Sequence, residues 1–180
     1  MEKKSGRKAL FLDRDGVINT DSGYTYKWSE KIIITESIEL VKRFNAKGFL
    51  VFIITNQSGI GRGYYTINDF YEFMKKLINY FEINDAIIHD YFFCKCNPQV
   101  NNCINRKPNP GMIFKAKDRY GLCMEDCLLV GDQISDIQAG FNAGISKLFL
   151  YQKYRKNDLY FPINCRINRV NTLSLVDYEK

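Results

Sequence analysis

The sequence has no hydrophobic run long enough to cross a bilayer. The longest apolar runs, such as FLVFII at Phe49–Ile54, fall far short of the roughly 18 residues that a membrane helix requires. Near the start of the chain only ALFL at Ala9–Leu12 is apolar before Asp13, which is too little for the core of a signal peptide. We therefore expect a cytoplasmic protein with no membrane partner.

The sequence also has no dense basic run. Its net charge is +6, which is compatible with a nucleic-acid-binding surface or with a solvated surface that favours small anions. The lysines and arginines are scattered along the chain, and this favours the second interpretation. We expect a small-molecule partner and no nucleic acid.

Histidine occurs once, as His89, whereas cysteine occurs six times. Without an export signal, reduced thiols or a metal site are expected in place of a disulfide framework. Cys123, Cys127 and Cys165 lie in apolar or isolated contexts and are interpreted as small core residues. The other three cysteines crowd into one loop, CKCNPQVNNCINRKP at Cys94–Pro108.

The 180 residues, 46% of them hydrophobic, are enough for one domain with a sizeable core. We expect a single domain over residues 1–180 that acts as a monomer. Strands are predicted at 8–12, 49–54, 86–93, 127–130 and 146–151, and helices at 36–47, 66–80, 110–121 and 135–142. A Thr66–Asp69 capping box is predicted to begin the second helix, and Ser135 to cap the fourth. This alternation predicts an α/β fold with a mainly parallel sheet covered on both faces. Residues after Gln152 carry no clear pattern.

The first predicted strand ends in two carboxylates, Asp13 and Asp15. Residues two apart in an extended chain point to the same side, and Gly16 lets the backbone turn. Open α/β sheets bind ligands at the carboxyl ends of their strands, and two close carboxylates suit a hard cation such as Mg²⁺. The spacing excludes an EF-hand, and the remaining alternative is a turn in which both aspartates only bond backbone groups.

Two more predicted strands have polar ends. TNQSG at Thr55–Gly59 offers hydroxyl, amide and N–H groups that can hold phosphate oxygens. GDQISD brings Asp132 and Asp136, either of which could complete a cation site, and Lys107 is a point charge suited to phosphate. Chance turns explain such a convergence poorly.

Together these motifs resemble those of the haloacid dehalogenase superfamily of phosphotransferases. FLDRDGVIN is similar to the first motif of that superfamily, TNQSG to the second, RKPNPGM to the lysine motif and GDQISD to the acidic fourth motif, in the same order. With DSGY at Asp21–Tyr24 and the cysteine loop, the chain resembles the D-glycero-D-manno-heptose-1,7-bisphosphate 7-phosphatases more closely, and histidinol-phosphate phosphatases share much of this pattern. The resemblance implies a Rossmann-like three-layer sandwich with no separate cap domain, and a role in nucleotide-heptose precursor biosynthesis.

The resemblance also implies an aspartyl-phosphate mechanism. Asp13 would be the nucleophile, and Asp15 would protonate the leaving oxygen and then deprotonate the attacking water. Mg²⁺ would be held by the Asp13 carboxylate, the Asp15 backbone carbonyl and Asp132, with the last aspartate of the fourth motif in support. Thr55 and Lys107 would stabilise the transferring phosphoryl group.

A sugar bisphosphate would bind in front of these groups. The resemblance implies that its binding residues are Asp21, Ser22, Gly23, Tyr24, Thr55, Asn56, Gln57, Ser58, Arg106 and Lys107. Arg106 would contact the second phosphate. Because no cap domain fits in the chain, loops must close the site. Tyr24, Tyr26 and Trp28 either pack over the substrate or anchor their loop on the core.

The heptose phosphatases usually carry a zinc loop, Cys-x-His followed by Cys-x-Cys, before Arg-Lys-Pro. Cys94 and Cys103 match the first and third ligands, and Cys96 replaces the histidine, an exchange that tetrahedral Zn²⁺ accepts. Asn105 stands where the last cysteine is expected and is a poor zinc ligand beside thiolates. Three alternatives remain: structural Zn²⁺ with a water or a distant residue as fourth ligand, an empty site, or an oxidised thiol pair.

Two functions of other classes stay open on the sequence alone. One is a zinc module that binds nucleic acid, which the single incomplete ligand set and the scattered basic residues disfavour. The other is a related phosphatase that acts on 3′-phosphate ends of nucleic acid.

Overall fold

The computed structural model describes residues 6–99, 103–152 and 166–179. Within these ranges six parallel strands form one sheet in the order β3-β2-β1-β4-β5-β6. The strands are β1 (Ala9–Leu12), β2 (Leu50–Asn56), β3 (Asp90–Cys94), β4 (Leu128–Gly131), β5 (Lys147–Tyr151) and β6 (Ile167–Val170). The strand order reverses at β1, between β2 and β4, and such a switch point is where open α/β sheets bind ligands.

Helices cover both faces of this sheet. They are α1 (Thr35–Ala46), α2 (Ser58–Gly61), α3 (Ile67–Ile83), α4 (Gly111–Tyr120) and α5 (Ile134–Asn142). Leu10 and Leu12 of β1 pack in one core cluster with α1 and α3, whereas Phe11 packs in a second cluster with α4 and α5. The predicted α/β three-layer fold is therefore confirmed. None of the helices in the described part of the chain is long and apolar enough to span a membrane.

The starts of two helices test the predicted caps. The Thr66 side chain accepts a hydrogen bond from the Asp69 N–H at 3.1 Å, and the Asp69 carboxylate accepts one from the Thr66 N–H at 2.7 Å, so that capping box is confirmed. The prediction that Ser135 caps α5 is wrong. Gln133 occupies the cap position, because the Asp136 carboxylate accepts a hydrogen bond from the Gln133 N–H at 2.9 Å.

Two strand predictions also need correction. The third strand begins at Asp90, four residues later than predicted, because side chains take part in the bonding before it. The Asn45 side chain accepts from the Ile87 N–H, and the ring of His89 accepts from the Val51 N–H. Strand β6 was not predicted, because its sequence INRV is polar and mostly accessible at the edge of the sheet.

Of the cysteines expected in the core, Cys127 is fully buried, Cys123 is partly accessible and Cys165 lies outside the described residues.

Candidate active site

A cleft of about 300 Å³ opens at the carboxyl ends of β1, β2 and β4. The predicted site residues that line it are Asp13, Asp15, Asp21, Gly23, Tyr24, Thr55, Asn56, Gln57, Ser58, Lys107, Asp132 and Asp136. Tyr65, Gln133 and Ser135 line it too, without having been predicted as site residues. Ser22 and Arg106 are not among the lining residues. The strand-end argument therefore located most of the cleft.

Lys107 lies at the centre of the acidic side of the cleft. Its Nζ donates to Oδ1 of Asp13 at 2.7 Å and to the carbonyl of Ile54 at 3.0 Å, and it lies 2.6 Å from Oδ1 of Asp136. Burial alone would lower the pKa of Lys107, but the two carboxylates outweigh it and raise that pKa. Lys107 is therefore a fixed positive charge on the floor of the cleft.

Asp13 and Asp132 fit a divalent cation. Burial raises the pKa of Asp13 well above its usual value, against the opposing effect of Lys107, and burial together with the charge of Asp136 raises the pKa of Asp132 to about 6. Oδ1 of Asp132 is buried and has no hydrogen-bond partner. Carboxylate oxygens of Asp13, Asp132 and Asp136 lie within 4.8 Å of one another. A hard cation such as Mg²⁺ would relieve both the repulsion and the unpaired oxygen.

Asp136 has less capacity to bind the cation itself. One of its carboxylate oxygens pairs with Lys107, and the other accepts from the Gln133 N–H at 2.9 Å. Gly16 brings the loop after β1 against the cation site, because its φ is +93° and a Cβ there would lie 2.4 Å from Oδ2 of Asp132. A side chain at position 16 would therefore push Asp132 away.

A buried amide joins Thr55 to Asp15. The Nε2 group of Gln57 donates to Oγ1 of Thr55 at 2.7 Å and to Oδ2 of Asp15 at 2.9 Å. Its Oε1 accepts from the hydroxyl of Tyr65 at 2.5 Å, and its backbone N–H donates to the Cys94 carbonyl at 2.7 Å. Gln57, which was predicted to bind the sugar, lines the cleft, and its amide also supports Thr55 and Asp15.

Arg14 was not predicted as a site residue. Its side chain is 1% exposed, and Nη2 lies 2.9 Å from both carboxylate oxygens of Asp15. Asn19 donates to the same carboxylate at 2.9 Å. The one signal in the sequence was a basic residue between the two aspartates that follow an apolar strand.

The loop after the first motif closes one side of the cleft. The Asp21 carboxylate accepts from the Gly23 N–H at 2.8 Å, which forms a tight turn, and Tyr24 lines the cleft with its ring edge-on to Tyr64 at 4.7 Å. Trp28 packs against Phe73 and Tyr80 in the core. Of the two interpretations of the loop aromatics, Trp28 thus anchors the loop, whereas Tyr24 faces the cleft.

The cysteine loop brings three sulfurs together. The Sγ atoms of Cys94, Cys96 and Cys103 lie within 4.8 Å of one another, and Cys94 and Cys103 are 3.5 Å apart, too far for a disulfide. The Cys96 thiol and the backbone N–H groups of Asn105 and Arg106 point at the Cys103 sulfur and lower its pKa. These contacts favour the thiolate at Cys103, whereas burial raises the pKa of Cys94 to about 12.

Asn105 does not complete this site as a fourth sulfur would. Its Oδ1 lies toward the start of α4, 2.8 Å from where a Cβ on Gly111 would be. His89 lies just before β3 and is not part of the sulfur cluster, and its Nδ1 accepts from the Val51 N–H at 3.1 Å. Within the described residues, three cysteines that could hold a metal thus lie together, and the fourth ligand, a water or a distant residue, stays a prediction.

Comparisons with known proteins agree with this geometry. A family model described as haloacid dehalogenase-like hydrolase matches residues 11–144. The chain is 43% identical over 154 residues, 86% of its length and 88% of the relative's, to the D-glycero-alpha-D-manno-heptose-1,7-bisphosphate 7-phosphatase of Campylobacter jejuni. It is 39% identical over 144 residues, 79% of its length and 83% of the relative's, to the D-glycero-beta-D-manno-heptose-1,7-bisphosphate 7-phosphatase of Helicobacter pylori.

A solved structure is similar across nearly the whole fold. The D,D-heptose 1.7-bisphosphate phosphatase from B. bronchiseptica, crystallised in complex with magnesium and phosphate, superposes with a TM-score of 0.78 at 27% sequence identity. The match covers 93% of this chain and 94% of that one.

Proposed function

The chain belongs to the haloacid dehalogenase-like hydrolases, and from that premise we propose that it removes the 7-phosphate of D-glycero-D-manno-heptose 1,7-bisphosphate. As a member of this family it is a phosphatase that depends on Mg²⁺. The observation that carries the proposal is the meeting of Asp13, Thr55, Lys107 and Asp132 in one cleft. The two relatives above are named for different anomers at C1, so the proposal concerns the 7-phosphate alone.

In the first half of the reaction, a carboxylate oxygen of Asp13 attacks phosphorus. The bond from phosphorus to the sugar oxygen breaks, and that oxygen takes a proton from Asp15 and leaves as the sugar hydroxyl. The support for this assignment is that both carboxylates line the cleft at the end of β1. The product of this half is an aspartyl-phosphate and a deprotonated Asp15.

In the second half, water attacks phosphorus and gives a proton to Asp15. The bond from phosphorus to the Asp13 oxygen breaks, which restores the Asp13 carboxylate and releases inorganic phosphate. Lys107, through its positive charge, and Thr55, through its hydroxyl, would stabilise the equatorial oxygens of the phosphoryl group, where charge spreads in the transition state, and the support is that both line the cleft. Mg²⁺, held by the Asp13 carboxylate, the Asp15 carbonyl and Asp132, would supply positive charge to the same oxygens.

The proposal includes a structural Zn²⁺ at Cys94, Cys96 and Cys103, with water as the fourth ligand. The compact sulfur cluster supports it, and so do the N–H groups aimed at Cys103. The ion would not take part in the chemistry. It would brace the loop whose Cys94 carbonyl bonds Gln57 and whose far end leads into Lys107.

The substrate is a small, doubly phosphorylated sugar, and such an anion does not cross a bilayer unaided. The proposal therefore places the enzyme in the cytoplasm, where the sugar bisphosphate is made and where its product enters nucleotide-heptose precursor synthesis. We propose that it acts there as a single-domain monomer.

A substrate panel tests the function. Phosphate release should be fastest from heptose 1,7-bisphosphate, compared with histidinol phosphate and a 3′-phosphorylated oligonucleotide. The Asp13→Asn variant should lose this activity, whereas Asp118→Asn, which changes an exposed aspartate of α4, should keep it. Preference for either of the other substrates would contradict the assigned substrate, and full turnover by Asp13→Asn would contradict the mechanism.

A further inference from the structure

Arg14 is a charged side chain in a place that would normally hold an apolar one. It lies two residues after the end of β1 and is 1% exposed. Its guanidinium lies over the ring of Phe73, 4.5 Å from the centroid, and 5.8 Å from the centroid of Phe70, both on α3. Burying a guanidinium carries a large desolvation cost, so a hydrocarbon side chain would fill this space better if packing were the sole role of Arg14.

The guanidinium joins two parts of the site. Its Nη2 donates to Asp15 at 2.9 Å and to the carbonyl of Thr25 at 2.7 Å. Thr25 follows directly on the Asp21–Tyr24 loop, and its hydroxyl lies 3.1 Å from that of Ser22. Arg14 therefore ties the carboxylate at the end of β1 to the loop that closes the cleft.

The stacking on α3 makes this link rigid. A planar guanidinium that packs on two aromatic rings has little rotational freedom, so the direction of its hydrogen bonds to Asp15 is fixed. Asn19 and Gln57 hold the same carboxylate from other sides, at 2.9 Å each. Without Arg14 these two amides would remain, but the bond to the loop would be lost.

We propose that Arg14 is a positioning residue, which orients the Asp15 carboxylate toward the leaving oxygen. Because Arg14 also bonds the Thr25 carbonyl, this orientation would depend on the position of the Asp21–Tyr24 loop. The proposal rests on the proposed function, in which Asp15 gives a proton to the leaving group. Arg14 itself is buried and is not among the residues that line the cleft. It acts through the carboxylate that it holds.

The leaving group provides the test. An alkyl oxygen of a sugar phosphate needs a proton as it leaves, whereas nitrophenolate from p-nitrophenyl phosphate does not. The value of kcat/KM reports only the steps up to departure of the leaving group, so it isolates the step in which Asp15 is the acid. It should be measured on both substrates for Arg14→Lys, Arg14→Met and Asp15→Asn, with thermal unfolding of each variant.

Arg14→Lys keeps the charge but loses the fork, and it decides the matter if Arg14→Met does not fold. We expect kcat/KM on the sugar phosphate to fall about tenfold in Arg14→Lys and about 10²-fold in Arg14→Met, near the lower end of general-acid effects. On p-nitrophenyl phosphate both should stay within about threefold of the wild type. Asp15→Asn should likewise lose much more kcat/KM on the sugar phosphate than on p-nitrophenyl phosphate.

An equal loss on both substrates, or no loss on either, would overturn the role of Arg14. If Asp15→Asn showed no such difference between the substrates, Asp15 would not be the acid and the proposal would fail with it. If the wild type ignored heptose bisphosphate but cleaved another alkyl phosphate, the substrate assignment would fail alone. The comparison of Arg14 variants would then be made with that alkyl phosphate.

Discussion

Nζ of Lys107 lies 2.7 Å from Oδ1 of Asp13, although 94 residues separate them in the sequence. Lys107 reaches this point from the loop that follows the cysteine cluster, and its 2.6 Å contact with Asp136 joins it to the start of α5. Three separate segments thus meet at one buried cation. In the proposed mechanism the same cation would neutralise the Asp13 nucleophile and stabilise the phosphoryl group, so stability and activity should depend on it together.

Lys107→Met should be inactive and less stable. Removing the charge leaves two buried carboxylates unpaired, and breaking a buried ion pair typically costs about 3–5 kcal/mol. Turnover should fall at least about 10²–10³-fold, as for the loss of a group that stabilises transition-state charge. Urea unfolding and phosphate release would measure the two effects. Lys115→Met, on the exposed face of α4, is the matched control and should change neither.

The sequence predicts the reactive groups of this cleft better than the groups that hold them. Asp13, Thr55 and Asp132 each follow a predicted strand, and parallel strands necessarily bring their ends to one edge. The support of Arg14 for Asp15 depends on α3 folding over it, which is a tertiary contact with no local pattern. Strand β6 escaped prediction for a related reason, because an edge strand needs little hydrophobic character of its own.

Mg²⁺ should stabilise the protein more at pH 7.5 than at pH 5. The pKa of Asp132 is raised to about 6 in the metal-free folded protein, so between roughly pH 4 and 6 the folded state binds more protons than the unfolded state does. The metal-free protein therefore loses stability as the pH rises through that window. Bound Mg²⁺ requires the ionised carboxylate and removes this penalty. Melting curves with Mg²⁺ or EDTA at both pH values would measure the difference.

The Asp132→Asn variant separates this effect from a general salt effect. It should lose most of the Mg²⁺-induced rise in melting temperature at pH 7.5. Its metal-free form should depend less on pH between 4 and 6 than the wild type does. An equal Mg²⁺ response in Asp132→Asn and in the exposed-site control Asp118→Asn would contradict the assignment of Asp132 as a ligand.

Tyr65→Phe should reduce turnover, although Tyr65 has no assigned role in the reaction itself and acts through Gln57. The Tyr65 hydroxyl holds Oε1 of Gln57 at 2.5 Å, and without it a buried amide oxygen lacks a donor, which typically costs about 1–3 kcal/mol. The freed amide would hold Thr55 and Asp15 less firmly, and we expect kcat to fall about tenfold, which corresponds to about 1.4 kcal/mol. Tyr64→Phe, at a neighbouring but exposed tyrosine, should retain wild-type kcat, and equal effects from both changes would refute the argument.

Metal analysis of the purified protein should find close to one zinc per chain, and Asn105→Cys should bind it more tightly. A fourth thiolate in place of water adds a strong ligand, so a chelator should remove zinc from Asn105→Cys more slowly than from the wild type. Cys103→Ser should lose the zinc, whereas Cys123→Ser, outside the cluster, should retain it. The described contacts by which the loop supports Gln57 and Lys107 use its backbone, so zinc-free protein should retain the reaction at reduced rate and melt at a lower temperature. Full loss of activity on zinc removal, with the fold intact by circular dichroism, would instead mean that the ion takes part in the chemistry.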